Sequence, residues 1–192
     1  MALPARKSEP KFTYGDYLTW PDEERWELID GNAYNMSPAP SRRHQQISRE
    51  LAFQIHDYLR DKPCELYHAP FDVRLPDEDE SDDEVLTVVQ PDIVVICDKK
   101  KLDDKGCRGA PDLIIEILSP NTASKDLREK LNLYEKHGVN EYWIVHPTDN
   151  TVMVFKLSEK KYGRPDVYAE KDKIKTPILD GLEIELELVF KE

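Results

Sequence analysis

Apolar residues recur at helical spacing in two long stretches. Ile47, Leu51, Ile55 and Tyr58 lay one stripe along a helix expected over 42–59, with Ser41 as a suitable N-cap. Leu127, Leu131, Leu133 and Tyr134 form the apolar face of a second helix over 123–137. Residues 119–122 can cap its start, and Gly138 suits its left-handed stop. Elsewhere the pattern is short and β-like. Two runs flanking Asp30, Gly31 and Asn32 read as a hairpin. Strands are expected over 65–75, 88–97, 112–118, 141–146, 151–157, 166–170 and 182–190. A short helix or turn is expected over 14–18, and Pro38 and Pro40 break the chain. Residues 1–11 read as a loose tail. This order predicts one α/β (α+β) domain over 12–192, a mixed central sheet flanked by helices behind an N-terminal hairpin.

Composition narrows the picture. The 192 residues carry 39 acids against 27 lysines and arginines, a net charge of −12. Such a chain does not coat nucleic acid by charge alone, although an enzyme can meet phosphate through a metal. Seven acids crowd into residues 77–84, DEDESDDE, which reads as a solvated loop tip whose deletion costs little stability. No apolar run approaches the roughly 20 residues of a membrane helix, and the N-terminus lacks a signal-peptide core. Cys64, Cys97 and Cys107 form neither a zinc pattern nor a disulfide framework, so a cytoplasmic location is expected.

The chemistry gathers in two segments, QPDIVVI (90–96) and PDLIIEIL (111–118), which place acids within otherwise apolar strands. Buried carboxylates need a partner, a metal or a task. If the two strands pair as an antiparallel hairpin about the loop at 98–110, with Cys97 opposite Pro111, Asp92 falls opposite Glu116. Their Cβ atoms would then lie about 5 Å apart on one face. A one-residue slip would separate them. Two such carboxylates repel unless a cation bridges them, and a hard divalent ion suits oxygen ligands. On the second helix, Lys130 falls inside the apolar face, either snorkelling from its edge or pointing at the acids. Lys125 falls on the solvent side. Asp92, Glu116 and Lys130 together suit metal-dependent phosphodiester hydrolysis. Asp112 shares a face with Glu116 but stands four residues away. It reads as a strand-entry turn and is the rival for the acid of the PD pair. His56, His68 and His137 carry no functional reading, and no histidine spacing suits catalytic zinc.

The segments WELIDGNAYNMSP, PDIVVI, PDLIIEILSP, SPNTASKDLREKLNLYEKHGV and EYWIVHP resemble the Uma-two family of endonucleases, within the restriction-endonuclease-like PD-(D/E)xK superfamily. The resemblance implies a restriction-endonuclease-like fold, Asp92 and Glu116 as the two acids, and the Ile117 carbonyl as a further metal ligand. Leu118 stands where the plain superfamily pattern has its lysine, and Lys130 matches a lysine moved to the following helix. Asp126 and Tyr134 match family positions as accessory candidates. Glu27 is either a third acid or a surface strand glutamate. His44, on the inward face of the first helix, either points at the site or is structural. His146 stands where similar proteins often carry an acid.

The leading expectation is a Mg²⁺-dependent (or Mn²⁺-dependent) endonuclease acting on weakly bound DNA, with a homodimer for two-strand cutting. Lys99, Lys100, Lys101, Lys105 and Arg108 offer weak phosphate contacts, and Arg42, Arg43 and Arg49 lie along the first helix. The alternatives are a catalytically idle nuclease-fold domain serving as an interaction module, and a glycosidase using Asp92 and Glu116.

Overall fold

Asp30 and Gly31 both take positive φ, 49° and 76°, and close a two-residue turn. Turns of this hand match the twist of the strands they join. They link β1 (Trp26–Ile29) to β2 (Asn32–Asn35) as the expected hairpin. The structure is a computed structural model and describes residues 11–21, 24–36, 39–119 and 126–191. The tail up to residue 10, the break at Pro38, the cap at 120–122, the helix start at 123 and Lys125 lie outside the described residues, as does the side chain of Asp126.

The mixed α/β fold is as expected, with the strands of the described residues falling into two mixed sheets and a two-stranded ribbon. The smaller has the order β2-β1-β5-β4-β8-β7, adding β4 (Val73–Arg74), β5 (Val88–Val89), β7 (Leu102–Asp103) and β8 (Gly106–Arg108). The larger runs β12-β11-β10-β9-β6-β3. Its strands are β3 (Glu65–His68), β6 (Ile93–Ile96), β9 (Leu113–Ile117), β10 (Glu141–His146), β11 (Thr151–Ser158) and β12 (Lys161–Tyr162), with β13 (Asp166–Ala169) also paired to β11. Both are mixed: β4 and β8 are parallel in the first, β9 and β10 in the second. The expected strands at 65–75 and 88–97 each split between the two sheets. A cis Ala69–Pro70 bond lies between β3 and β4, and Pro91, with no N–H for a ladder, lies between β5 and β6. The loop at 98–110 is not structureless, because it supplies β7 and β8.

After the short helix α1 (Tyr14–Tyr17), the helix α2 (Arg42–Leu59) has the predicted bounds, and Ser41 caps it by accepting the His44 N–H. Its Ile47, Leu51 and Ile55 are fully buried against alternate residues of the large sheet, Ile93, Val95, Leu113, Ile115 and Ile117. Each such side chain contributes about 1.5–3 kcal/mol by burial. The opposite face of the sheet, with Val94, Ile114, Tyr142 and Ile144, packs on α3 (Leu131–His137) and the smaller sheet. A π-helical turn, Asp126–Lys130, precedes α3 where a plain α-helix was expected. The expected strand over 182–190 is instead β15 (Glu183–Glu185), paired with β14 (Lys173–Lys175), followed by a short helix, Leu186–Phe190. That helix buries Leu186, Val189 and Phe190 against α2. The LELVF pattern fits either period over so few residues.

Two further expectations are corrected. Glu65 pairs with Ile96, which sets Cys64 directly opposite Cys97, and these form a disulfide across 33 residues. The compartment argument from unpaired cysteines therefore loses its premise; among the described residues, no helix is long and apolar enough to cross a membrane. Nor is the acidic run simply solvated. Asp82 accepts from the fully buried Arg74 at 2.6 Å and pairs with Lys105 and Arg108, while Asp77 pairs with Lys136 at 2.7 Å. Asp103 holds the other arm of Arg74, also at 2.6 Å. Asp82→Ala should therefore cost about 1–3 kcal/mol, since it leaves a buried guanidinium half satisfied. That corresponds to a Tm lower by about 5 °C, measurable by thermal unfolding. An unchanged Tm would restore the solvated-tip reading.

Candidate active site

β6 and β9 pair antiparallel with Ile93 opposite Ile115 and Val94 opposite Ile114. This is the register the hairpin argument requires, and extended by one residue it places Asp92 opposite Glu116. The pair marks one end of the large sheet, where β6 begins and β9 ends. Elements from both faces reach this end.

From the α3 face comes Lys130, 4% exposed at the end of the π-helical turn. Its Nζ donates to Glu116 Oε1 at 2.7 Å and to Glu27 Oε1 at 2.9 Å. Tyr134, one turn on, donates its hydroxyl to the same Glu116 oxygen at 3.0 Å. Glu27 is 2% exposed, so it is a buried acid of the site and not a surface strand residue. It arrives on β1 and also accepts the Gln90 N–H at 3.1 Å. Gln90 lies just past the end of β5, whose ladder stops at Val89.

From the α2 face comes His44, whose Nε2 lies 3.2 Å from Asp92 Oδ2. The Ile117 N–H donates to the same oxygen at 2.8 Å. In a strand, N–H and C=O of one residue point to the same edge, so the Ile117 carbonyl also faces Asp92. Asp92 Oδ1 takes no hydrogen bond from a described residue, and the side chain is 23% exposed towards the cleft.

Among the described residues, three carboxylates stand with the Lys130 ammonium, a formal charge of −2, the charge one divalent cation would balance. Among the described residues no three histidine, cysteine or acidic side chains form a ready metal cage. Mg²⁺ does not need one, because it is commonly held by one or two carboxylates with water and substrate phosphate completing the shell. The oxygens of Asp92, Glu116 and the Ile117 carbonyl fit such an ion chemically.

These residues line a cleft of about 1240 Å³. Its lining carries three acids, Glu27, Asp92 and Glu116, and five cations, Lys130, Arg25, Arg42, Arg43 and Arg49. Among the described residues the cleft lining thus carries a local positive excess in an acidic protein. The lysine-bearing loop does not contribute to it. Residues 98–110 join the far ends of β6 and β9, roughly 20 Å from Asp92 at the usual strand rise, and none lines the cleft. Lys99 pairs with Glu65, Lys101 donates to the Ala110 carbonyl, and Lys105 and Arg108 pair with Asp82, leaving Lys100 as an exposed lysine. Asp112 is at that far end too. It accepts the Cys97 N–H at 2.8 Å, as the strand-entry reading expects.

Sequence reasoning did not single out Arg25, Gln90 or Asp72. The Gln90 carboxamide accepts from Arg25 and donates to Asp72 and Tyr17. Burial pushes the Asp72 carboxyl above its ordinary range, against the hydrogen bonds from Gln90, Tyr17 and Tyr14. The one available signal was a glutamine among buried strand residues just before the PD pair.

The fold is a mixed α/β domain with mixed sheets. The chain belongs to the Uma2 family, whose model, described as "Putative restriction endonuclease", matches residues 14–187. A crystal structure described as "a putative nuclease belonging to DUF820", from Anabaena variabilis, shares the fold. The TM-score is 0.73 over 93% of this chain and 97% of that one, at 21% identity. An uncharacterized protein of Synechocystis sp. is 23% identical over 185 residues, covering 95% of this chain and 93% of that protein.

Proposed function

We propose that the protein is a metal-dependent endonuclease hydrolysing phosphodiester bonds in DNA. Asp92, Glu116 and the Ile117 carbonyl would hold Mg²⁺ or Mn²⁺, and Lys130 assists. The observation that carries this reading is the lysine itself: its Nζ is buried 2.7 Å from Glu116, at the strand end where Asp92 stands opposite. A divalent ion bound there would lower the pKa of a water and offset charge on the phosphoryl oxygens.

The chain's own residues prepare that site. Tyr134 and Lys130 fix one Glu116 oxygen, while the Ile117 N–H and His44 fix one Asp92 oxygen, so neither carboxylate has to reorganise when substrate arrives. Lys130 holds a positive charge beside the position where negative charge develops on phosphorus. The N-terminal turn of α2, Arg42 to Gln45, lines the cleft and adds its dipole to the arginine charges that favour a phosphate chain. Cutting both strands of a duplex calls for two such sites, hence a dimer in action.

The test is incubation of supercoiled plasmid and of single-stranded DNA with the protein and Mg²⁺ or Mn²⁺. Metal-dependent nicking is the expected result. A protein that cuts neither substrate with either metal would contradict the reading and favour the interaction-module alternative.

A further inference from the structure

One arginine of the cleft has its aim built into the fold. Arg25, just ahead of β1, is exposed and lines the cleft. Its guanidinium meets a neutral acceptor: Nε and Nη2 both donate to Gln90 Oε1, at 3.2 and 2.8 Å. Gln90 adds no charge to offset that of the arginine. A guanidinium that spends Nε and Nη2 on one oxygen still presents Nη1 and its full charge.

Gln90 cannot turn its amide over. It is 8% exposed, and its Nε2 donates to Asp72 Oδ1 at 2.9 Å and to the Tyr17 hydroxyl at 3.1 Å. Tyr17 in turn donates to Asp72 at 3.2 Å. A carboxylate only accepts, so the NH₂ end must face Asp72 and the carbonyl end must face Arg25. The backbone N–H of the same residue holds Glu27. One buried glutamine therefore fixes an acid in the site and an arginine at the cleft wall. Of the other cleft arginines, Arg43 donates Nη2 to Asn150 and the Phe190 carbonyl, and Arg49 pairs with Glu50.

We infer that Arg25 binds a backbone phosphate of the DNA strand lying in the cleft, and that Gln90 is its positioning residue. The inference rests on the nuclease reading. An oriented guanidinium matches phosphate oxygens better than a mobile ammonium does, and its place beside Glu27 puts that phosphate next to the acids.

The experiment is equilibrium binding of a fluorescent DNA duplex to the full chain in EDTA, where cleavage does not interfere, across a range of salt. Arg25→Ala should weaken binding about tenfold and reduce the salt slope by about 1, as for one lost phosphate contact. Its melting temperature should fall by no more than a few degrees, the cost of leaving the Gln90 oxygen without its donor. Gln90→Leu should lose the same unit of slope, and the double variant should bind no more weakly than Arg25→Ala, since the two act as one unit. Wild-type affinity and slope in Arg25→Ala would overturn the inference while leaving plasmid cutting by the native protein untouched. A native protein that neither binds nor cuts DNA would remove this inference together with the reading beneath it.

Discussion

Glu116→Gln is expected to reduce DNA cleavage by roughly 10³-fold or more while leaving the fold intact. The size follows from the role. If Glu116 is one of two carboxylates around a divalent ion, as proposed, weakening it would remove several kcal/mol of transition-state stabilisation, and about 4 kcal/mol corresponds to 10³ in rate. The fold should survive because of the charge arrangement around Lys130. The cluster of Glu27, Glu116 and Lys130 carries one excess negative charge, and glutamine removes it without removing shape. The Lys130–Glu27 pair at 2.9 Å remains, and a glutamine oxygen can still accept from Tyr134. Measured turnover near the native level, with native unfolding, would take Glu116 out of the site.

Lys130→Ala should behave differently, losing cleavage and stability together. The geometry makes this lysine part of the fold as well as of the candidate site. Glu27 and Glu116 are 2% and 5% exposed, and Lys130 is the cation between them. Removing it leaves two buried carboxylates facing each other, a change that costs about 3–5 kcal/mol. For a domain of this size the melting temperature should fall by roughly 10 °C. Millimolar Mg²⁺ should recover more stability in the variant than in the native protein, because a divalent cation can replace the missing charge. A melting temperature within a degree or two of native would mean that no buried ion cluster exists here.

The comparison of these two substitutions shows where sequence reasoning reached and where it stopped. The pairing of Asp92 with Glu116 was legible, because strand alternation and one assumed register fixed it. The inner-face position of Lys130 was legible from helical spacing, even though a π-helical turn replaced the α-helix assumed. The two-sheet architecture was not legible. Each of the strands at 65–75 and 88–97 reads as one continuous apolar run, and only pairing partners far along the chain reveal that each is divided between sheets. Gln90 and Arg25 escaped for the same reason, being 65 residues apart with no local pattern. The acidic run was misjudged because its partner, Arg74, is a lone arginine inside a strand, and a buried arginine leaves no mark on hydropathy until its neighbours are known. The Cys64–Cys97 bridge depends on β3 pairing with β6, a long-range register that cysteine counting cannot supply.

Asp92 and Glu116 are proposed to hold a divalent ion together. Mn²⁺ titration followed by electron paramagnetic resonance tests this without any need for a substrate. The native protein should take up one Mn²⁺, displaced by excess Mg²⁺, and Asp92→Asn and Glu116→Gln should each lose that binding. Mn²⁺ uptake unchanged in both variants, or none in the native protein, would contradict the account.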